Sequence, residues 1–162
     1  MQGRPLRIPF VVFGVGVGIL CLDFFLKSVA LRSFPPEETV EQWSVLTLAV
    51  HRNTGIAFDL PVSLSLLFPV TVVILLFLVR YAKKERKENP LASSAALVVI
   101  LGAIGNLWDR IWHGFTTDYF ILFGHSAINL SDVLILTGIL LLLWVGRPSD
   151  HPTPSPPKVP KK

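Results

Sequence analysis

The sequence predicts an all-α membrane protein with four transmembrane helices, both ends on the inner side, and a small β-sheet on the outer side. Three observations predict it. Charged residues make up 16% of the 162-residue chain, where a soluble domain carries about 25%. Mean hydropathy is +0.58. Four apolar runs also approach the roughly 20 residues needed to cross a bilayer. Together they fill about half the chain, so no large soluble domain fits beside them.

The first predicted span covers residues 8–30, behind Arg4 and Arg7. It is expected to be a retained helix. The run is long for a signal-peptide core, and no small-residue cleavage site follows it. Cys21 invites comparison with a lipoprotein signal, but Leu20 before it is not small. The second span covers 61–79, the third 91–108 and the fourth 127–145. These four form one membrane domain over 1–146. Residues 147–162, with six prolines from Gly146 onward, read as a disordered tail on the inner side.

Orientation follows from Lys and Arg. Eleven lie in the N-terminus, the connection from Arg80 to Lys87 and the tail, against Arg32, Arg52 and Arg110 in the two alternate connections. The positive-inside bias therefore places both termini inside and segments 31–60 and 109–126 outside. Within the first outer segment, Ser44 to Val50 is rich in β-branched residues, with Leu46, Leu48 and Val50 alternating on one face. That pattern predicts a strand, and Asn53-Thr54-Gly55 supplies a turn after it. Lys83 to Glu88 reads as a solvated connector.

The net charge of +4 sits in short clusters without aromatic interleaving. It therefore reports topology, and nucleic acid is not an expected partner. One Cys and four scattered His give no disulfide framework and no metal spacing.

Ionisable groups inside apolar runs are costly and are functional candidates by default. Asp23, Lys27, Asp109, Arg110, Asp118 and Asp132 all fall toward the outer side of the predicted topology. Asn106 lies three and four residues from Asp109 and Arg110, and Asn129 three from Asp132, so each set shares a helix face. Bland readings compete with functional ones. Asp23 and Lys27 form an i, i+4 pair with Lys27 free to snorkel. Asp109 and Arg110 suit an interfacial anchor. Capping of the fourth helix accounts for one of Asn129, Ser131 and Asp132. Asp118 and Asp132 have no adjacent cation. Two close acids share a proton, so one accepts a proton from water while the other donates to a leaving amine. That is aspartic-peptidase chemistry, needing neither metal nor cofactor.

Five motifs then occur in order: Asp23-Phe24-Phe25-Leu26-Lys27, Asn53-Thr54-Gly55-Ile56-Ala57-Phe58, Gly102 to Arg110, Thr117-Asp118-Tyr119 and Asn129-Leu130-Ser131-Asp132. Over about Arg7 to Val145 the chain resembles the lipoprotein signal peptidases, or type II signal peptidases. The resemblance implies a membrane-embedded aspartic endopeptidase that cuts before the diacylglyceryl-modified Cys of bacterial prolipoproteins. It implies a catalytic dyad at Asp118 and Asp132, with Asp23, Asn53, Asn106, Arg110 and Asn129 supporting the acids or holding substrate, and a sheet that cradles substrate. Diacylglyceryl-modified prolipoproteins and the lipid bilayer are the expected partners. The chain is expected to be a monomer in the bacterial plasma (inner) membrane, with its site near the outer face.

The sequence departs from the family's pattern in places. Tyr119 to Ser131 is short, Ile128 replaces a common Phe, Ser131 a usual Ala, and Leu101 a frequent Gly. Two other classes compete: a small proton- or ion-conducting protein, which would string its acids along a path, and a non-catalytic scaffold, which would not need Asn and Asp at helical spacing.

Overall fold

The structure is a computed structural model that describes residues 7–40, 44–55 and 62–146. Helix α1 spans Arg7–Ser33, α2 Leu64–Glu88, α3 Pro90–His113 and α4 Leu130–Val145; strands β1 (Leu46–Asn53), β2 (Thr116–Leu122) and β3 (Ser126–Ile128) form an antiparallel sheet in that order.

α3 is the central helix, and α1, α2 and α4 all pack against it. Its sequence explains why. Ala92, Ser93, Ser94, Ala95, Ala96, Gly102 and Gly105 are all small and, with one another, allow close backbone approach. Gly138 of α4 sits against α3 so closely that a Cβ there would lie 2.8 Å from the Ala95 carbonyl oxygen. The outward faces are apolar and bare, as at Phe77 and Val73 of α2 and Leu143 of α4. Such surface is stable facing lipid tails and not water.

α1, α2 and α3 are long and apolar enough to cross a membrane. α4 is apolar but shorter, at 16 residues, about 24 Å of helix. The predicted fourth span thus begins too early: Ala127 and Ile128 belong to β3, where Phe120 pairs with Ile128. Hydropathy does not separate an apolar strand from the apolar helix that follows it.

The other boundaries also move. α2 runs nine residues beyond Val79, so Lys83 to Glu88 is helix and not a loop. Lys, Arg and Glu are good helix formers, and the helix stops at Asn89 because the residue before Pro90 is driven from helical geometry. Asn89 then caps α3, its side chain accepting from the Ala92 N–H at 3.1 Å. α3 ends at Gly114, whose φ of 80° suits glycine. The predicted end of the third span at 108 falls short, and Asp109 and Arg110 are on the last turns of α3, as their helical spacing from Asn106 implies.

β1 forms as the β-branched pattern predicts, but its alternation breaks. A bulge between Leu48 and His51 shifts the pairing with β2. The Val50 N–H turns instead to the Pro35 carbonyl at 2.9 Å. Val50 is buried, while Leu46 and Leu48 remain exposed. Asn53 is the last residue of β1 and also starts the predicted turn, accepting from the Gly55 N–H at 3.0 Å. Ile56, Ala57 and Phe58 of the second motif, Pro61, and the tail 147–162 lie outside the described residues.

Candidate active site

Every predicted site residue meets at one end of the bundle, where α1 and α3 finish and α4 begins. Asn129 organises it. As the N-cap of α4 it accepts from the Asp132 N–H at 2.9 Å, and its own N–H donates back to Asp132 Oδ2 at 3.1 Å. This is a capping box. Capping thus explains Asn129 and Asp132 together, and not just one residue of the three. The remaining Asn129 donor, Nδ2, goes to Asp118 Oδ1 at 2.5 Å. One asparagine therefore positions both acids.

Each acid has a second amide. Asn53, at the end of β1, donates to Asp118 Oδ2 at 3.1 Å. Asn106 of α3 donates to Asp132 Oδ1 at 2.7 Å. Asp118 is buried on β2, opposite His51 of β1. Burial, reinforced by the negative charge of Asp132, pushes its carboxyl up to about 7. Hydrogen bonds from Asn53 and Asn129 and the charge of Lys27 pull the other way, but less strongly.

Asp23 stands one layer back and is fully buried. It accepts from the Tyr119 hydroxyl at 2.8 Å, the Leu130 N–H at 3.1 Å and the Ser131 hydroxyl at 2.6 Å. It is thus a clamp on the first turn of α4, the turn that presents Asp132. Its i, i+4 ion pair with Lys27 is present at 2.9 Å. Lys27 does not snorkel. It is buried, lies 3.5 Å from Asp109 Oδ2, and donates to Asn106 Oδ1 at 3.2 Å.

Asp109 is equally far from a surface anchor. It is buried and accepts from the Thr117 N–H at 2.5 Å, the residue before Asp118, and it is 2.7 Å from His113 Nδ1. Arg110 reaches across to the Gly55 carbonyl through Nη2 at 2.9 Å, holding the turn after β1. Its Nε is buried and has no partner among the described residues. Tyr119 and Ser131, not among the predicted site residues, also belong to this cluster. Both lie inside motifs named above, but their role is not local, because each acts through Asp23, about a hundred residues away in the chain.

The described residues contain no group of three or more His, Cys, Asp or Glu arranged to hold a metal. What the arrangement supplies is two carboxyls, one of them kept protonated to near neutrality, each oriented by amides.

Comparison with known proteins identifies the family. A profile described as signal peptidase (SPase) II matches residues 15–146. The chain belongs to the signal peptidase II family. It is therefore similar to signal peptidases, which are hydrolases, and residues 15–146 contain all seven predicted site residues. The lipoprotein signal peptidase of Halalkalibacterium halodurans is 30% identical over 138 residues, covering 82% of this chain and 88% of the relative. That of Cronobacter sakazakii is 32% identical over 143 residues, covering 80% and 84%. Among solved structures, a bacterial membrane enzyme determined by the in meso method at 2.3 Å resolution has a TM-score of 0.74 at 22% identity, covering 83% of this chain and 86% of that one. A second, at 1.9 Å, has a TM-score of 0.71, also at 22% identity. These two likenesses concern the fold.

Proposed function

We propose that this signal peptidase II family member cleaves prolipoproteins before their diacylglyceryl-modified Cys, with Asp118 and Asp132 as its catalytic pair. The observation that carries this reading is the bridge through Asn129, which ties two acids from different elements into one unit. With one proton between them, the ionised carboxyl takes a proton from water as that water attacks the scissile carbonyl. The protonated carboxyl then donates to the departing amine.

The surrounding amides keep both acids aimed at one space. Arg110, whose buried Nε has no partner among the described residues, is close enough for its charge to interact with both acids. A lipidated Cys holds its scissile bond near the membrane boundary, which suits acids gathered at one end of the helices.

The same reading has α4 as a fourth span, both termini inside, and the sheet outside. Supporting it, the polar cluster and the Arg80 to Lys87 cations occupy opposite ends of the bundle, as the positive-inside bias requires. The setting is the bacterial plasma membrane, and the chain acts as a monomer without nucleic acid. A proton-conducting protein is less well supported, because these acids are gathered at one end and do not form a path.

The test uses the purified chain and a diacylglyceryl-modified prolipoprotein. Asp118→Asn and Asp132→Asn, made singly and inserted at parental levels, are each expected to abolish cleavage. Processing by either variant would overturn the dyad.

A further inference from the structure

At the end of the bundle away from Asp118 and Asp132, α1 and α2 both pack on α3 and leave a groove between them. Its cavity, of about 250 Å³, is lined by Phe13, Val79 and Leu97, with Phe10 at the mouth and Lys83 and Arg86 on the rim. The Arg86 guanidinium lies 5.0 Å from the centre of the Phe10 ring, so it reaches over from α2 to α1. Both cations are exposed. The Ser93 hydroxyl, also in the lining, is already spent on the Ala82 carbonyl at 2.8 Å.

We propose that this groove binds one anionic phospholipid, with an acyl chain along the apolar lining and the phosphate between Lys83 and Arg86. Depth supports it. Lys83 is about 28 Å of helix from the start of α2, close to the roughly 30 Å of a hydrocarbon core. That puts both cations at the level of lipid headgroups when Leu64 is at the far boundary. Basic pockets between membrane helices have the chemistry to hold such headgroups.

Charge decides between occupants. A signal peptide carries its basic segment on the inner side, and this chain's own tail adds Arg147, Lys158, Lys161 and Lys162. Lys83 and Arg86 repel both and attract a phosphate. The inference rests on the membrane placement given above but not on the catalytic assignment.

The experiment is native mass spectrometry of the full chain, delipidated in neutral detergent and titrated with dioleoyl phosphatidylglycerol or dioleoyl phosphatidylcholine. One phosphatidylglycerol is expected to stay bound at a concentration at least tenfold below that needed for phosphatidylcholine. Lys83→Gln/Arg86→Gln is expected to erase the difference. Val79→Trp, which fills the groove and keeps both charges, is expected to remove both lipids. Prolipoprotein cleavage in detergent should be unchanged in the charge variant, which separates this result from failure of the dyad. Equal retention of the two lipids by the parent, a phosphatidylglycerol preference persisting in the charge variant, phosphatidylglycerol persisting in Val79→Trp, or inorganic phosphate binding as tightly as the lipid would overturn the proposal.

Discussion

Lys27 donates to the side-chain oxygen of Asn106 at 3.2 Å, and this contact fixes which way the Asn106 amide faces. An ammonium group has no acceptor, so the oxygen must face Lys27 and the NH₂ must face Asp132, 2.7 Å away. Lys27 also offsets the buried charges of Asp23 and Asp109. Removing one partner from such a buried set costs about 3–5 kcal/mol, because the remaining charges are left uncompensated. Lys27→Met is therefore expected to lower the thermal midpoint in detergent and to depress prolipoprotein cleavage. Parental values for both would show that Asn106 is oriented without it.

The raised carboxyl of Asp118 gives a pH dependence with a definite sign. Its ordinary value is 3.8 and burial pushes it to about 7. Between these values the folded state holds a proton that the unfolded chain has lost, so this group's contribution to stability declines as pH rises from about 4 to about 7. Cleavage should follow the shared proton and fall along an alkaline limb centred near pH 7. Asn53 donates to Asp118 and favours its ionised form, so Asn53→Ala is expected to move that limb upward. The measurement is the rate against pH for parent and variant. A limb that stays put or moves down would detach Asn53 from the titrating acid.

Much of this site is readable from spacing, and the unreadable parts share one cause. Asn129 and Asp132 are three residues apart at a helix start, so their mutual cap is a local property. The same holds for Asp23 and Lys27, one turn apart. Whether Lys27 snorkels or stays buried is not local, because the answer depends on Asn106 and Asp109 from a different helix. The placement of Tyr119 and Ser131 on Asp23 is likewise a product of three elements meeting. The sheet was half legible: β1 has the composition of a strand, but β3 is three residues next to an apolar helix. The bulge that buries Val50 depends on an N–H bond to Pro35 that no alternation pattern encodes.

Arg110 joins the turn after β1 to α3 through one nitrogen and leaves another buried and unpaired among the described residues. A guanidinium presents several donors in a fixed plane, and an ammonium group cannot reproduce that fork. Arg110→Lys is expected to keep the charge near the acids yet lose most cleavage, by tenfold or more, which corresponds to about 1.4 kcal/mol. If turnover stays near the parental rate, with Gly55 still held, Arg110 contributes only its charge.

The approach of α3 to α4 places a backbone position directly against the clamp on Asp132. A Cβ on Gly105 would collide with the Ser131 hydroxyl and lie 2.8 Å from Leu20 Cδ1. That hydroxyl is the group bonded to Asp23 at 2.6 Å. Gly105→Ala should therefore push Ser131 off Asp23 and disturb the first turn of α4, at a cost of about 1–3 kcal/mol for overpacking. Ser131→Ala removes one hydrogen bond to a charged group, about 1.5–3 kcal/mol. Because both act on the same contact, their effects are not independent. In the double variant the hydroxyl that Gly105→Ala strikes is already gone, so the combined loss should fall short of the sum by about 0.5–3 kcal/mol. Unfolding of the parent, the two single variants and the double variant in one detergent measures this coupling. Strict additivity would mean that α4 is positioned without the Ser131–Asp23 contact.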